Sequence, residues 1–148
     1  MSQEKKNTSK ANKIHKYLAQ DMSFRAAAVV ATEVVREMQS IQNTFPLATM
    51  AVGRSMVAAS LMASQLKDGQ QISLYFRGDG PLEMFFAEAN HEGQVRGYTS
   101  NPQLEAPSEG GELAVAAVLR GRFYAAGHGA SLSGAVWRRR LSATVVRR

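Results

Sequence analysis

The chain of 148 residues contains no cysteine. Disulfides, thiolate zinc sites, a cysteine nucleophile and a thiol redox switch are therefore excluded within these residues. No run of 18 apolar residues occurs, so the sequence predicts no membrane span. The first twenty residues carry five lysines and no uninterrupted apolar stretch, unlike a secretory signal. Together these absences favour a cytoplasmic protein, and the length favours one domain, or one domain and a tail.

Acidic residues are absent from the last thirty residues. Residues 1–118 hold 11 Lys and Arg against all 12 Asp and Glu, whereas residues 119–148 hold seven Arg and no acid. The net charge of +6 therefore belongs to the second segment. Two explanations stay open: a selected arm in which Trp137 and its neighbouring arginines contact nucleic acid, and a GC-rich coding sequence read in a shifted frame. We favour the shifted frame.

The spacings typical of catalysis and of cofactor binding are also missing. His15, His91 and His128 do not form the i,i+4 pair of a helical metal site. No Gly-x-Ser-x-Gly motif occurs. Gly78 and Gly80 precede a predicted strand and not a helix, so a turn is favoured over a phosphate-binding loop. We therefore expect no enzyme, and no metal or cofactor bound by this chain.

Composition divides the chain into three segments. Residues 1–13, rich in Lys, Asn, Ser and Gln, are predicted to be a disordered arm. Residues 14–118 carry the apolar periodicity and are predicted to be the folded domain. Residues 119–148 follow neither period 2 nor period 3.6, which predicts an irregular basic tail. The expected fold class is α+β, with a mixed or antiparallel β-sheet packed by two or more helices.

Two helices are predicted before the sheet. Thr32 is a fair N-cap, and apolar residues follow at helical spacing to about Asn43. Pro46 suits the first turn of a second helix, whose apolar stripe runs over residues 47–67. Arg54 lies on that stripe, so its charge needs a partner or a position where the stripe reaches solvent.

Extended structure is predicted near residues 22–30 and over residues 71–99. The second region reads as a three-stranded antiparallel meander with strands at 71–77, 82–88 and 94–99. The expected register sets Tyr75 opposite Met84. One face then carries Ile72, Leu74, Phe76, Phe85 and Ala87, and the other carries Tyr75, Leu82, Met84 and Phe86.

Both faces of this meander are therefore apolar. A single layer of helices covers only one face of a sheet. The second face must meet another layer or subunit, or remain open as an exposed apolar surface. Burial of Tyr75, Leu82, Met84 and Phe86 against a second layer or a dimer partner is the favoured alternative.

A block of short motifs is more specific than composition. The residues that carry it are Gly53-Arg54, residues 58–67, Gly78-Asp79-Gly80-Pro81 and Arg96-Gly97-Tyr98, with residues 14–18, 24–25 and 109–116 in support. This combination resembles the N-terminal domain of the 33 kDa chaperonin family, the redox-regulated heat-shock holdases of bacteria. The likeness covers about residues 14–118 and ends there.

The resemblance implies an ATP-independent chaperone of the stress response, which holds unfolding or oxidatively damaged proteins and prevents their aggregation. It implies a core domain that dimerises with exchange of elements. It also implies a C-terminal module that binds zinc through four cysteines, whose oxidation exposes client-binding surface. No position here matches those cysteines, so no zinc ligand carries over. We expect the redox switch to be lost and the sheet to be incomplete relative to the family.

Two functions from different classes follow. The first is a truncated holdase core that binds unfolded clients through Tyr75, Leu82, Met84 and Phe86. The second is nucleic-acid binding through the arginine-rich tail, which we consider less favoured. The remaining motif residues, Gly53, Arg54, Gly78, Asp79, Gly80, Pro81, Arg96, Gly97 and Tyr98, are expected to have structural roles.

Overall fold

A computed structural model describes residues 13–105 and 121–128 as two helices and two antiparallel sheets. The expected α+β class is confirmed. The predicted disordered arm lies outside the described residues, apart from Lys13. The elements in chain order are β1 Ile14–Leu18, β2 Arg25–Val29, α1 Thr32–Gln42, α2 Pro46–Ala63, β3 Gln71–Gly78, β4 Met84–Asn90, β5 Val95–Thr99 and β6 Gly121–His128.

Strands β1 and β2 form a two-stranded hairpin that lies outside the larger sheet. The Ala19 N–H donates to the Phe24 carbonyl at 3.1 Å and closes the turn. Within the turn, the Asp21 carboxylate accepts hydrogen bonds from the hydroxyl and the N–H of Ser23. These bonds, the hydroxyl first, lower the pKa of Asp21. The extended segment predicted near residues 22–30 is confirmed as β2.

Helix α1 has Ala31 as its N-cap, without a side-chain hydrogen bond. Thr32 is therefore the first residue of the helix, and the prediction that it caps the helix is wrong. The C-cap Asn43 adopts a left-handed conformation with φ 51° and ends the helix where the sequence predicted. Met38 is the buried residue of α1.

Helix α2 is the core helix of the domain. Pro46 occupies its first turn, as predicted, and ten of its residues are buried. The helix ends at Ala63, before residue 67, and the Ser64 hydroxyl donates to the Leu61 carbonyl at 2.7 Å just beyond that end. By length and hydropathy α2 would also suit a membrane span, but 56% of it is buried inside the protein, as in a core helix. Arg54 is exposed to solvent, so its charge is not buried although the residue lies on the apolar stripe.

The larger sheet has the strand order β5-β4-β3-β6, and every neighbouring pair is antiparallel. Helix α2 contacts β3, β4 and β5, so one face of the sheet forms the core. Phe76 and Phe85 stack within that core with ring centroids 4.8 Å apart. The predicted inner face is confirmed, because its five residues are all buried: Ile72, Leu74, Phe76, Phe85 and Ala87.

The register between β3 and β4 differs from the expectation by two residues. Tyr75 pairs with Phe86, and Met84 pairs with Arg77. The Gly78 N–H donates to the Glu83 carbonyl at 2.7 Å, and this bond closes a four-residue loop over residues 79–82. Because side chains alternate with a period of two, a two-residue slip leaves every side chain of a strand on its predicted face.

Leu82 does not lie on the outer face, and that prediction is wrong. Strand β4 begins at Met84, so Leu82 belongs to the loop. Its side chain is 0% exposed and is part of the hydrophobic core. The loop is held in place by Asn101, whose side-chain amide donates to the Pro81 carbonyl at 3.0 Å.

Strand β6 lies inside the segment predicted to be an irregular tail. All of its eight residues pair with β3, from Gly121 opposite Gly78 to His128 opposite Gln71. The prediction of irregular structure is therefore wrong for residues 121–128. Pairing uses backbone groups, so a strand can form beside β3 without an alternating pattern of its own. Residues 129–148 lie outside the described residues.

Candidate functional site

The outer face of the four-stranded sheet is the side turned away from α2. Side chains on this face follow the alternation of β3, β4 and β5, and Arg122 joins them through its pairing with Arg77. They form rows across the strands, because paired residues lie side by side. The rows contain Met84, Arg77 and Arg122; then Tyr98, Phe86 and Tyr75; then Arg96, Glu88 and Ser73.

The middle row is aromatic, and we call Tyr98, Phe86 and Tyr75 the aromatic row. Tyr75 and Phe86 stack with centroids 5.5 Å apart and an interplanar angle of 27°. Phe86 and Tyr98 are 5.8 Å apart and tilted by 38°. Both tyrosines are 44% exposed, and Phe86 between them is half-buried. The row is thus a preformed apolar surface at the centre of the face.

The first row carries two arginines side by side. Arg77 and Arg122 are paired across β3 and β6, and both are exposed. No ion pair joins either of them to another residue of the described ranges. Like charges directly opposite each other in a sheet repel. This pair is therefore a local excess of positive charge beside the aromatic row, with Met84 as its apolar neighbour.

The charged side chains of the third row, Arg96 and Glu88, are paired with each other. The Glu88 side chain is 15% exposed and accepts a hydrogen bond from the Ser73 hydroxyl at 2.8 Å. The Arg96 Nε donates to the other carboxylate oxygen of Glu88 at 2.6 Å, and the two side chains form an ion pair. Glu88 therefore forms a structural ion pair with Arg96.

The Gly-Asp-Gly-Pro motif forms the loop between β3 and β4. Gly80 is buried, and its carbonyl accepts from the Glu83 N–H at 2.9 Å. Asp79 and Pro81 are exposed at the surface of the loop. Strand β4, and not a helix, follows the loop. The interpretation of this motif as a turn is therefore confirmed.

Two motif glycines mark places where α2 approaches its neighbours closely. Gly53 on α2 faces Val35 of α1, and Gly97 on β5 faces Val52 and Met56 of α2. A side chain at either position would collide with these neighbours. The Gly97 carbonyl, on the open side of β5, accepts a hydrogen bond from the Gln42 side chain. The edge of β5 is thereby covered by α1.

The histidines do not form a metal site in the described part of the chain. His91 lies with its Nδ1 3.7 Å from the Asp68 carboxylate, and His15 is on β1. Among residues 13–105 and 121–128, no three His, Asp or Glu side chains converge. The absence of bound cofactors stays a prediction.

The β1–β2 hairpin presents a second exposed apolar surface, separate from the outer face. Four of its large apolar side chains are more than half exposed: Tyr17, Leu18, Met22 and Phe24. A two-stranded hairpin is marginally stable alone in water. Exposed apolar surface of this kind is typical of an interaction surface.

Sequence reasoning placed Tyr75, Met84 and Phe86 together, and the structure does the same. It missed Tyr98 and Arg77 as members of this face. Alternation along residues 94–99 and 71–77 was a signal that places both of them there. Arg122 had no such signal, since only its pairing with Arg77 brings it to this face.

Comparisons with known proteins agree with this fold. A family profile described as Hsp33 protein matches residues 12–134, and thus extends beyond residue 118, where the recognisable motifs end. The 33 kDa chaperonin of Desulforamulus reducens is 41% identical over 103 residues, which cover 69% of this chain and 35% of the relative. The 33 kDa chaperonin of Staphylococcus aureus shows the same identity and coverage.

A solved structure of the same kind is also similar. The crystal structure of the 33 kDa chaperonin of Thermotoga maritima matches with a TM-score of 0.77 and 28% identity. The match covers 86% of this chain and 45% of the Thermotoga chain.

The fold and its faces define an α+β domain in which a core helix buries one sheet face and the other face carries a row of partly exposed aromatic side chains. The chain belongs to the Hsp33 family. It spans about a third of the length of the curated relatives it matches.

Proposed function

We propose that this chain is an ATP-independent holdase, which binds unfolded or oxidatively damaged proteins and prevents their aggregation. The observation that carries the proposal is the aromatic row on the outer face. A holdase needs exposed apolar surface, and Tyr75 and Tyr98 each expose 44% of their area beside the half-buried Phe86. Names of the relatives, all 33 kDa chaperonins, support the same class.

Contact with the row is worth a modest free energy. An aromatic side chain buries ~150–250 Å² in full. Covering the exposed part of one tyrosine at about 25 cal/mol per Å² is therefore worth roughly 2 kcal/mol. A few such contacts favour reversible holding of an unfolded segment over permanent capture.

The proposal is tested by light scattering of a heat-labile enzyme warmed with this chain and without ATP. We expect the folded chain to suppress aggregation. The double variant Tyr75→Ser, Tyr98→Ser should lose most of the suppression. The matched control is Tyr17→Ser, a single tyrosine that is also exposed on a strand, which should retain it.

Two results would contradict the proposal at different levels. A folded sample that suppresses nothing removes the holdase function. If Tyr17→Ser loses the suppression and the double variant keeps it, the client site lies on the hairpin and not on the outer face. Circular dichroism and thermal melting establish that each variant is folded before the assay.

Two further parts of the proposal concern the switch and the assembly. The chain has no cysteine, so we propose that holding by this chain needs no zinc and does not respond to thiol oxidation. The exposed apolar side chains of the hairpin support self-association as a homodimer. Sedimentation at several concentrations tests that part. The cytoplasmic location expected from the sequence belongs to the same proposal.

A further inference from the structure

The outer face carries charge as well as apolar surface. We propose that it selects extended client segments in which an acidic residue lies two positions away from an apolar residue. This inference rests on the proposed holdase function and adds a class of partner to it. The juxtaposition that carries it is Arg77 and Arg122 beside the aromatic row, two exposed arginines without an acidic partner among the described residues.

Charge complementarity points to an acidic partner. Arg77 and Arg122 lie directly opposite each other, and no described acidic residue pairs with either. A carboxylate placed between them would offset their mutual repulsion. On the other side of the aromatic row, Glu88 already neutralises Arg96. The attraction for acid is therefore confined to one side of the row.

The spacing of the two rows sets the spacing within the client. Tyr75 and Arg77 are two residues apart on β3 and share a face, as do Phe86 and Met84 on β4. Side chains at i and i+2 of an extended strand are about 7 Å apart. An extended client aligned with the strands therefore sets an apolar side chain on the aromatic row and an acidic one, two positions on, between the arginines.

The arrangement of the rings favours polypeptide over single-stranded nucleic acid. Nucleic-acid platforms offer ring faces on which bases stack. Here Tyr75 and Phe86 stack on each other, with an interplanar angle of 27°, so they cover part of each other's faces. The surface left open suits aliphatic and aromatic side chains of a peptide, while the arginines suit its carboxylates.

The test uses the full chain and short labelled peptides, with binding followed by fluorescence anisotropy. In the first peptide Phe and Asp take turns at every second position, so that each Asp lies two residues from a Phe and on the same side of an extended chain. The second has Asn in place of Asp, and the third keeps the composition of the first but moves each Asp to the position next to Phe, on the opposite side of an extended chain. We expect the first peptide to bind about five-fold more tightly than either of the others at low salt.

Salt and substitution separate charge from apolar contact. Near 1 M salt the preference should vanish, because the Debye length falls to about 3 Å and the charges are screened from each other. The double variant Arg77→Gln, Arg122→Gln should lose the preference at low salt and still bind the Asn peptide. Arg25→Gln is the control, since it removes an exposed arginine from the hairpin and should keep the preference.

Each contrary result has its own meaning. Equal binding of all three peptides, with aggregation still suppressed, overturns the acidic preference and leaves the holdase proposal standing. A preference that survives in the double variant overturns the assignment to Arg77 and Arg122. A twelve-nucleotide oligothymidylate that displaces the Asp peptide and fails to bind the double variant would make nucleic acid the partner of this face and overturn the inference.

Discussion

Gly97 of β5 lies directly beneath Val52 of α2, and nothing larger than hydrogen fits between them. A Cβ atom added at residue 97 would stand 2.5 Å from the Val52 Cγ1 and 2.8 Å from the Met56 Sδ. Helix α2 therefore approaches the sheet at the distance that a glycine permits. This contact gives a structural role to the Arg96-Gly97-Tyr98 motif, whose arginine pairs with Glu88 and whose tyrosine ends the aromatic row.

Gly97→Ala should destabilise the protein by roughly 1–3 kcal/mol, because the methyl group overpacks the core between helix and sheet. Urea denaturation measures the change in the free energy of unfolding. Gly127→Ala on β6 is the control, since among the described residues no atom beyond its chain neighbours lies within 4 Å of a Cβ at that position. It should change stability by less than about 0.5 kcal/mol. Equal effects of the two substitutions would show that the close approach of α2 does not limit the side chain that residue 97 can carry without loss of stability.

Gly53→Ala tests the contact between the two helices. The new Cβ would stand 2.8 Å from the Val35 Cγ1, a clash that outweighs the gain of about 1 kcal/mol in helix propensity. The single variant should therefore be less stable than the parent. In a Val35→Ala background the clash is gone, and the same Gly53→Ala change should stabilise by up to ~1 kcal/mol. A double-mutant cycle measures this reversal of sign. If the sign is the same in both backgrounds, Val35 is not the obstacle.

Leu82→Ala and Tyr75→Ala should separate the core from the outer face. Leu82 is fully buried, so its truncation should cost about 2–5 kcal/mol of stability. Tyr75 is substantially exposed and loses mainly its stacking with Phe86, so the cost should be about 0.5–1.5 kcal/mol. Thermal melting compares the two. A larger loss for Tyr75→Ala than for Leu82→Ala would contradict the placement of the loop.

Suppression of aggregation should be the same in a thiol reductant and in a thiol-specific oxidant such as diamide. The physical reason is that no side chain here forms a disulfide, since the chain has no cysteine. Light scattering of an unfolding client that itself lacks cysteine makes the comparison. A large difference between the two conditions would show that another component, and not this chain, carries a redox response.

The faces of the meander were predictable, but its register was not. Alternation of apolar and polar residues along 71–99 assigns each side chain to one side of a sheet. The loop over residues 79–82 is set by a backbone hydrogen bond from Gly78 to Glu83, and side-chain patterns carry no signal for that bond. The predicted register between β3 and β4 is therefore displaced by two residues, and the prediction assigned Leu82 to a strand that begins only at Met84.

The outer face shows the same division. Tyr75, Met84 and Phe86 share a face by periodicity alone, whereas the row they form with Tyr98 depends on how β4 pairs with β5. Arg122 could not be assigned to this face at all. It comes from a segment without periodicity and reaches Arg77 through backbone pairing of β6 with β3.

Local chemistry was enough to establish the class of fold, the two helices, the inner face of the sheet and the absence of thiol chemistry. Each of these depends on residue type and on spacing along one stretch of chain. Folding in three dimensions decided which residues lie side by side: the aromatic row, the arginine pair, the buried Leu82 and the contact of Gly97 with Val52. Those neighbours are far apart in sequence or lie across a turn. Their proximity comes from strand pairing and helix packing, which no local pattern encodes.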